Sequence, residues 1–164
     1  MLFRSAETPA EPNSALVLTT APTHGDVEVE LRLRIVRPLG ASPRSTDAAS
    51  LYWQYVHNEQ GRHGYRFDLG TGGWSLRKVY AGPADKEAQQ PPLATGADAR
   101  AEAGTWHRLR VLQQGARIQA WVDGKRVCDV VDPGTKWGTY TSGSVGLYCT
   151  DTYSQFDDVV VRRP

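Results

Sequence analysis

In the stretch "TWHRLRVLQQGARIQAWVDGKRV", Arg108 and Arg110 stand two residues apart, and so do Gln119 and Trp121. Residues two apart on an extended strand share a face. A turn at Gln114–Gly115 would fold the two segments together, with Arg108 across from Trp121 and Arg110 across from Gln119. Ile118, Ala120 and Val122 are left to fill the opposite face. The polar row then joins a flat indole to planar, hydrogen-bonding neighbours. That chemistry suits a sugar ring, whose C–H side stacks while its hydroxyls bond outward. The plainer reading of the same residues is an arginine lying on Trp121 as surface packing.

A second set comes from "SLYWQYVH" and the segments after it. Trp53, Tyr55 and His57 alternate on one side of an extended strand, Tyr52 and Gln54 on the other. Arg66 and Asp68 share a side of the next strand, and Arg77 lies in a third. One aromatic set must be core, and the sequence leaves open which. Trp53, Tyr55, Arg66 and Arg77 are therefore carried as candidate ligand contacts beside Arg108, Arg110, Gln119 and Trp121. Trp74 belongs to the core or to a loop rim. Trp137 and Tyr140, in a glycine-rich loop, are expected at the rim, where binding residues gather.

Acid–base and nucleophilic chemistry are poorly provided for. A retaining glycosidase needs two carboxylates about 5 Å apart. The nearest approach is Asp26, Glu28 and Glu30 of "DVEVE", which read as a solvated strand face. No Gly-x-Ser-x-Gly and no phosphate-cradling glycine loop occurs. His57, His63 and His107 lie near strands or turns and read as surface residues. Cys128 and Cys149 are the only cysteines. They are free and buried, or they form one disulfide. No Cys/His spacing suggests zinc, and no residue is assigned a catalytic role.

The elements that must position these residues are strands. "DVEVELRLRIVRP" puts Val27, Val29, Leu31, Leu33 and Ile35 on one face and Glu28, Glu30, Arg32 and Arg34 on the other, and Pro38 closes it. Segments 50–57, 65–70 and 74–82 continue as a meander, and 13–20 reads as a strand. Residues 83–104 read as a long loop with one helical turn at most. Asp123–Gly124 is a type I′ hairpin turn, because both central positions need positive φ. About nine or ten strands and no firm helix predict an all-β, two-sheet antiparallel jelly-roll sandwich.

The chain has 164 residues, with 19 basic and 18 acidic side chains and a net charge of +1. It is read as a single domain over 1–164, with 1–12 loosely attached. Near charge balance speaks against a nucleic-acid partner, and no apolar run approaches a membrane span. The opening "MLFRSAETPAEPNS" lacks the apolar core of a signal peptide. The chain is thus cytoplasmic, has lost its signal, or is exported within something larger.

Three motifs carry a family resemblance. "TWHRLRVLQQGARIQAWVDGKRV" resembles the laminin G and concanavalin A-like lectin/glucanase pattern, in which a Trp opens a strand and an aromatic–Val–Asp–Gly turn follows a hairpin. Trp106 and Trp121–Gly124 stand at those positions. "GSVGLYCTD" and "FDDVVV" are similar to its closing strands, and "HGYRFDLGTGGWSLRKVYAG" to bacterial members that include 3-keto-disaccharide hydrolase-like domains. The resemblance covers about residues 14–164 and implies a concanavalin A-like jelly roll. It implies a non-catalytic carbohydrate-recognition module, with a glucanase or 3-keto-disaccharide hydrolase as the alternative, although the glucanase E-x-D-x-E strand is missing. A self-associating or surface-displayed interaction domain is the third class. An extracellular or cell-surface setting fits all three. The resemblance also implies a structural calcium at Asp157, at the start of the last strand. Against it stands Asp157 capping the strand edge or accepting loop amides, with Asp158 in water. The two side chains should point to opposite faces unless the strand bulges.

Overall fold

The computed structural model describes residues 14–18, 22–40, 46–82, 91–135 and 138–164, the first of these as backbone. Twelve strands are found there: β1 (Ser14–Leu18), β2 (Thr23–His24), β3 (Val27–Pro38), β4 (Ala48–Asn58), β5 (Gly61–Gly70), β6 (Gly73–Ala81), β7 (Ala94–Gly96), β8 (His107–Gln114), β9 (Arg117–Val122), β10 (Lys125–Val131), β11 (Ser142–Thr150) and β12 (Thr152–Arg162). They form two antiparallel sheets. One has seven strands in the order β1-β11-β4-β5-β6-β7, with β2 joined to β11; the other has five in the order β10-β9-β8-β3-β12. The all-β sandwich expected from the alternation is present, with the short β2 and β7 in addition. No helix among the described residues is long and apolar enough to cross a membrane.

The period-two pattern of β3 is realised directly. Val27, Val29, Leu31, Leu33 and Ile35 are buried between the sheets, and Glu28, Glu30, Arg32 and Arg34 face outward. Leu109, Val111, Ile118, Ala120 and Val122 extend that inner face. Leu51, Trp53, Tyr65, Phe67, Leu69, Trp74 and Leu76 pack on it from the seven-stranded sheet. Each large apolar side chain removed from water in this way contributes about 1.5–3 kcal/mol. Cys128 and Cys149 are both buried and free; burial pushes the Cys128 thiol up to about 11.

Two backbone devices decide which side chains face outward. At the end of β9, Asp123 (φ 51°) and Gly124 (φ 81°) form the expected tight turn, pairing Val122 with Lys125. In β4 the pairing with β5 slips between Trp53 and Val56, and Gln54 sits at φ 49°. This bulge breaks the alternation. Trp53 points inward, while Tyr52 and Tyr55 both join a small cluster with Val79 and Tyr148 outside the main core. Gln54 itself is buried; its side-chain amide donates to the Gly25 carbonyl (2.9 Å), and its oxygen accepts from Thr23 Oγ1 (3.0 Å). Gly73 also has a fixed reason: at φ +140° a Cβ there would lie 2.3 Å from the Gly96 carbonyl oxygen of β7.

One end of the sandwich is closed by a buried polar network. Lys78 Nζ lies 2.8 Å from Asp132 Oδ2, and Tyr65 Oη donates to the same oxygen at 2.5 Å. The Gly134 amide donates to Asp132 Oδ1 (3.0 Å), Lys78 also donates to the Gly138 carbonyl, and its ammonium lies 4.8 Å from the centre of the Tyr140 ring. Burial pushes the Asp132 carboxyl up, but Lys78, Tyr65 and the Gly134 amide outweigh it and hold it below its ordinary value. Tyr140, expected at a loop rim, is buried here, and burial pushes its phenol up to about 12. Trp137 lies outside the described residues.

Candidate ligand-binding face

The outer face of the seven-stranded sheet carries three cross-strand rows. The first is Tyr148–Ser50–Asp68–Ser75–Thr95, running from β11 to β7. The second is Tyr52–Arg66–Arg77 on β4, β5 and β6. The third is Thr150–Ala48–Gly70–Gly73. Because the side-chain period of a strand is two, each strand contributes every second residue to this one face.

Asp68 is the hub. Its Oδ1 accepts from Ser50 Oγ (2.7 Å) and its Oδ2 from Ser75 Oγ (2.9 Å), along the first row. Arg66 Nε is 2.9 Å from Oδ1, and Arg77 Nε is 3.5 Å from Oδ2. The two serine hydroxyls each take a lone pair of the carboxylate, and the two guanidinia stand beside it as ion-pair partners. Arg66 is fixed further by donating from Nη1 to Tyr52 Oη (3.0 Å). Arg77 Nε also donates to Ser75 Oγ (3.2 Å). The Tyr148 ring meets Tyr52 edge-on at 5.6 Å, closing the aromatic side of the patch.

Over these rows lies a trough of about 860 Å³, lined by Arg66, Asp68, Ser75, Arg77, Tyr148 and Thr150 among others. Ligand pockets typically measure about 300–1,000 Å³. The space exists because the third row is built of Ala48, Gly70 and Gly73, which leave the sheet nearly bare on the side of the Asp68 row away from the tall Arg and Tyr row.

The outer face of the five-stranded sheet is arranged differently. The β8–β9 turn is at Gly115–Ala116, so Arg110 lies opposite Trp121 and Leu112 opposite Gln119. The expected register is thus off by two residues, because the turn comes one residue later than Gln114–Gly115 and shifts both partners. Trp121 does face outward, but the Arg110 guanidinium covers it at 4.4 Å from the ring centre. Arg110 donates to Glu28 (2.6 Å), Arg108 pairs with Glu30, and Arg162 with Glu28 (2.8 Å). Arg117 grips Asp129 with two bonds of 2.8 Å, and Gln119 donates to the same carboxylate at 2.9 Å. These bonds hold Asp129 down to about 2. The Arg110 hydrogen bond likewise holds Glu28 below its ordinary value against partial burial.

Of the candidates named from sequence, Arg66 and Arg77 meet in the trough. Trp53 does not: it is fully buried, stacked on Tyr65 at 5.5 Å, with Nε1 donating to Gln113 (2.8 Å). Tyr55 is buried in the outer aromatic cluster, away from the row that holds Asp68. Arg108, Arg110, Gln119 and Trp121 share the other sheet, engaged with acids, with one another or with both. His107 is buried rather than exposed; its Nδ1 lies 2.7 Å from Asp123 Oδ2 and its Nε2 accepts the Glu102 amide (3.1 Å). The latter contact leaves the ring proton on Nδ1. Ser50, Ser75 and Tyr148 were missed, and Asp68 was noticed only as a neighbour of Arg66. Their signal is the same period two in "AASLY", "WSLRK" and "GLYCT", but β11 beside β4 is not written in that period.

Asp157 and Asp158 stand at a bulge in β12, where Asp157 pairs with Arg32 and Val160 with Glu30, and Asp158 has φ 50°. The bulge turns both carboxylates to one guanidinium: Arg32 Nη2 is 2.8 Å from Asp157, and its Nε is 2.8 Å from Asp158. The Asp158 amide donates to Asp157 Oδ1 and, with Arg32, holds that carboxyl below its ordinary value. Calcium collects six to eight oxygens. Among the described residues no group of three or more His, Cys, Asp or Glu side chains gathers to hold a metal. The donors at Asp157 fit an arginine.

A family model described as the 3-keto-alpha-glucoside-1,2-lyase-like domain matches residues 3–162. The chain belongs to that family. Its fold is similar to that of the carbohydrate-binding module CBM66 from Bacillus subtilis, at 15% identity and a TM-score of 0.68, covering 98% of this chain and 94% of that one. A Bacillus subtilis protein of unknown function with a galectin-like fold matches at 12% identity and a TM-score of 0.70, over 94% and 79% of the two chains. The VIP36 exoplasmic/lumenal domain in its Ca2+/Man-bound form matches at 16% identity and 0.67, over 98% and 77%. At such identities the likeness is one of fold, the concanavalin A-like jelly roll. No curated protein matches the chain.

Proposed function

We propose that this protein is a carbohydrate-recognition module whose binding face is the outer side of the seven-stranded sheet. The trough above the Asp68 rows carries this reading. It offers hydroxyls from Ser75, Thr95 and Thr150, the guanidinium of Arg77 and the edge of Tyr148 in one depression. Such a mixture of planar donors, hydroxyls and one aromatic suits a polyhydroxylated ring. The fold shared with a carbohydrate-binding module supports the reading without choosing the glycan. A glycan array read without and with Asp68→Ala tests it. Glycan binding that disappears in the variant, with no change in the glycan recovered afterwards, is the expected result. Binding that survives Asp68→Ala and is lost in Trp121→Ala would move the site to the other sheet.

Family membership favours one other reading, cleavage of a 3-keto-α-glucoside. Such a lyase needs a base at the substrate. Asp68 is the carboxylate in the trough; it accepts from two serine hydroxyls and pairs with two arginines, which suits holding more than proton abstraction. Incubating the protein with a 3-keto-α-glucoside and separating the products decides between them. Turnover lost in Asp68→Asn would make this an enzyme.

A structural calcium at Asp157 would have to displace Arg32. A melting temperature that rises with added calcium and returns with a chelator would support the ion there; no shift supports the ion pair alone.

A further inference from the structure

The charged groups of the trough do not balance. Among the described residues that line it, Arg66, Arg77 and Lys78 are cationic and Asp68 is the acid. Lys78 is neutralised from the core side by Asp132. One carboxylate therefore faces two guanidinia. Arg66 is tied at Nε to Asp68 and at Nη1 to Tyr52. Arg77 is engaged through Nε alone, and its side chain is 36% exposed. Its two terminal nitrogens have no partner among the described residues. The opposite sheet shows the contrast, for there Arg32, Arg108, Arg110 and Arg117 each reach a carboxylate.

We propose that the saccharide bound on this face carries an oxyanion, a carboxylate or a sulfate, and that the end of the Arg77 guanidinium receives it. This rests on the carbohydrate reading above and narrows it to acidic glycans. The planar fork of an arginine presents two parallel N–H donors at the spacing of two carboxylate or sulfate oxygens. Asp68 and Ser75 fix Nε, so the fork is aimed before the ligand arrives and less freedom is lost on binding. The Ser75 and Thr95 hydroxyls flank it in the next row, within reach of ring hydroxyls beside the acid. A half-enclosed setting also strengthens the ion pair relative to open water.

The test is an array that carries uronic-acid and sulfated glycans beside their uncharged counterparts, read at low and high salt. Binding to acidic glycans, weakened by salt, is expected; which acid dominates separates carboxylate from sulfate. Arg77→Gln should weaken that binding roughly tenfold or more, the loss of a charge-assisted pair. Arg77→Lys should fall between, since it keeps charge without the fork. Arg126→Gln removes the same charge from β10 and should change nothing. Matching melting curves for all variants confirm that folding is intact. Equal binding of charged and uncharged glycans would overturn the oxyanion assignment and leave the carbohydrate reading standing. No glycan of either kind would overturn both. An equal loss in Arg126→Gln would reduce the effect to net charge and remove Arg77 from the site.

Discussion

The two outer faces use nearly the same side chains to opposite ends. On the five-stranded sheet, β3 presents Glu28, Glu30, Arg32 and Arg34 in a column, and its neighbours answer each one. β12 places Arg162 opposite Glu28, Asp157 opposite Arg32 and Gln155 opposite Arg34, while β8 offers Arg110 and Arg108 diagonally to Glu28 and Glu30. Complementary residues in adjacent columns saturate a sheet surface. On the seven-stranded sheet the charges converge on one carboxylate, and the next row is left small. The first pattern makes a closed lattice and the second makes a hollow with donors to spare. Side-chain type alone does not distinguish a site from a surface; the partner across the strand does.

The contrast breaks most readily at the two indoles that sequence offered together. Trp53→Ala empties the space between the layers and is expected to cost about 3–5 kcal/mol in denaturant unfolding. Trp121→Ala should cost less than about 1 kcal/mol, the value of an exposed cation–π contact, and leave glycan binding unchanged. A loss of binding in Trp121→Ala would reverse the assignment of the two faces.

A smaller effect is expected at the hubs. Asp68→Ala leaves the largely enclosed Arg66 and the partly exposed Arg77 without their acceptor; about 1–3 kcal/mol of stability and all glycan binding should be lost. Asp129→Ala, in an exposed ion pair that water already screens, should leave both nearly intact. Melting and binding measured on the same two variants would sharpen the comparison, and similar losses in both would erase it.

The smallest effect is a pH dependence belonging to the five-stranded face. Glu28, Asp129 and Asp157 are all held below their ordinary values in the folded chain, Asp129 to about 2. Between the two values the unfolded chain binds more protons, so these groups stabilise the fold above about pH 5 and lose that contribution progressively as the pH falls toward 2. Melting temperature followed through that window should decline. Arg117→Gln should flatten the part owed to Asp129, and a decline identical to the parent's would show that the pair carries none of it.

How far the sequence reached depended on whether the alternation held. In β3 it held for ten residues, and both faces were read as they are. In β4 it broke at Gln54, where a positive φ inserted one residue and sent Trp53 and Tyr55 to opposite sides. In β12 a bulge at Asp158 did the same, which is why two adjacent aspartates meet one arginine. In the β8–β9 hairpin a turn one residue later than expected moved Arg108 off Trp121. Arg66, Asp68 and Arg77 were seen as neighbours because β5 and β6 follow one another; Ser50 and Tyr148 were not joined to them.

The order of apolar and polar residues by itself determined that this chain folds into strands, that they stack in two layers and that β3 turns its aliphatic side inward. A period of two is a local property, set by the pleat of the backbone. Only the tertiary structure decided that β11 lies against β4 and that the hollow falls over Asp68. Strand order and bulges are set by contacts between residues far apart in the chain, and those same contacts determine which charges find partners and which remain for a ligand.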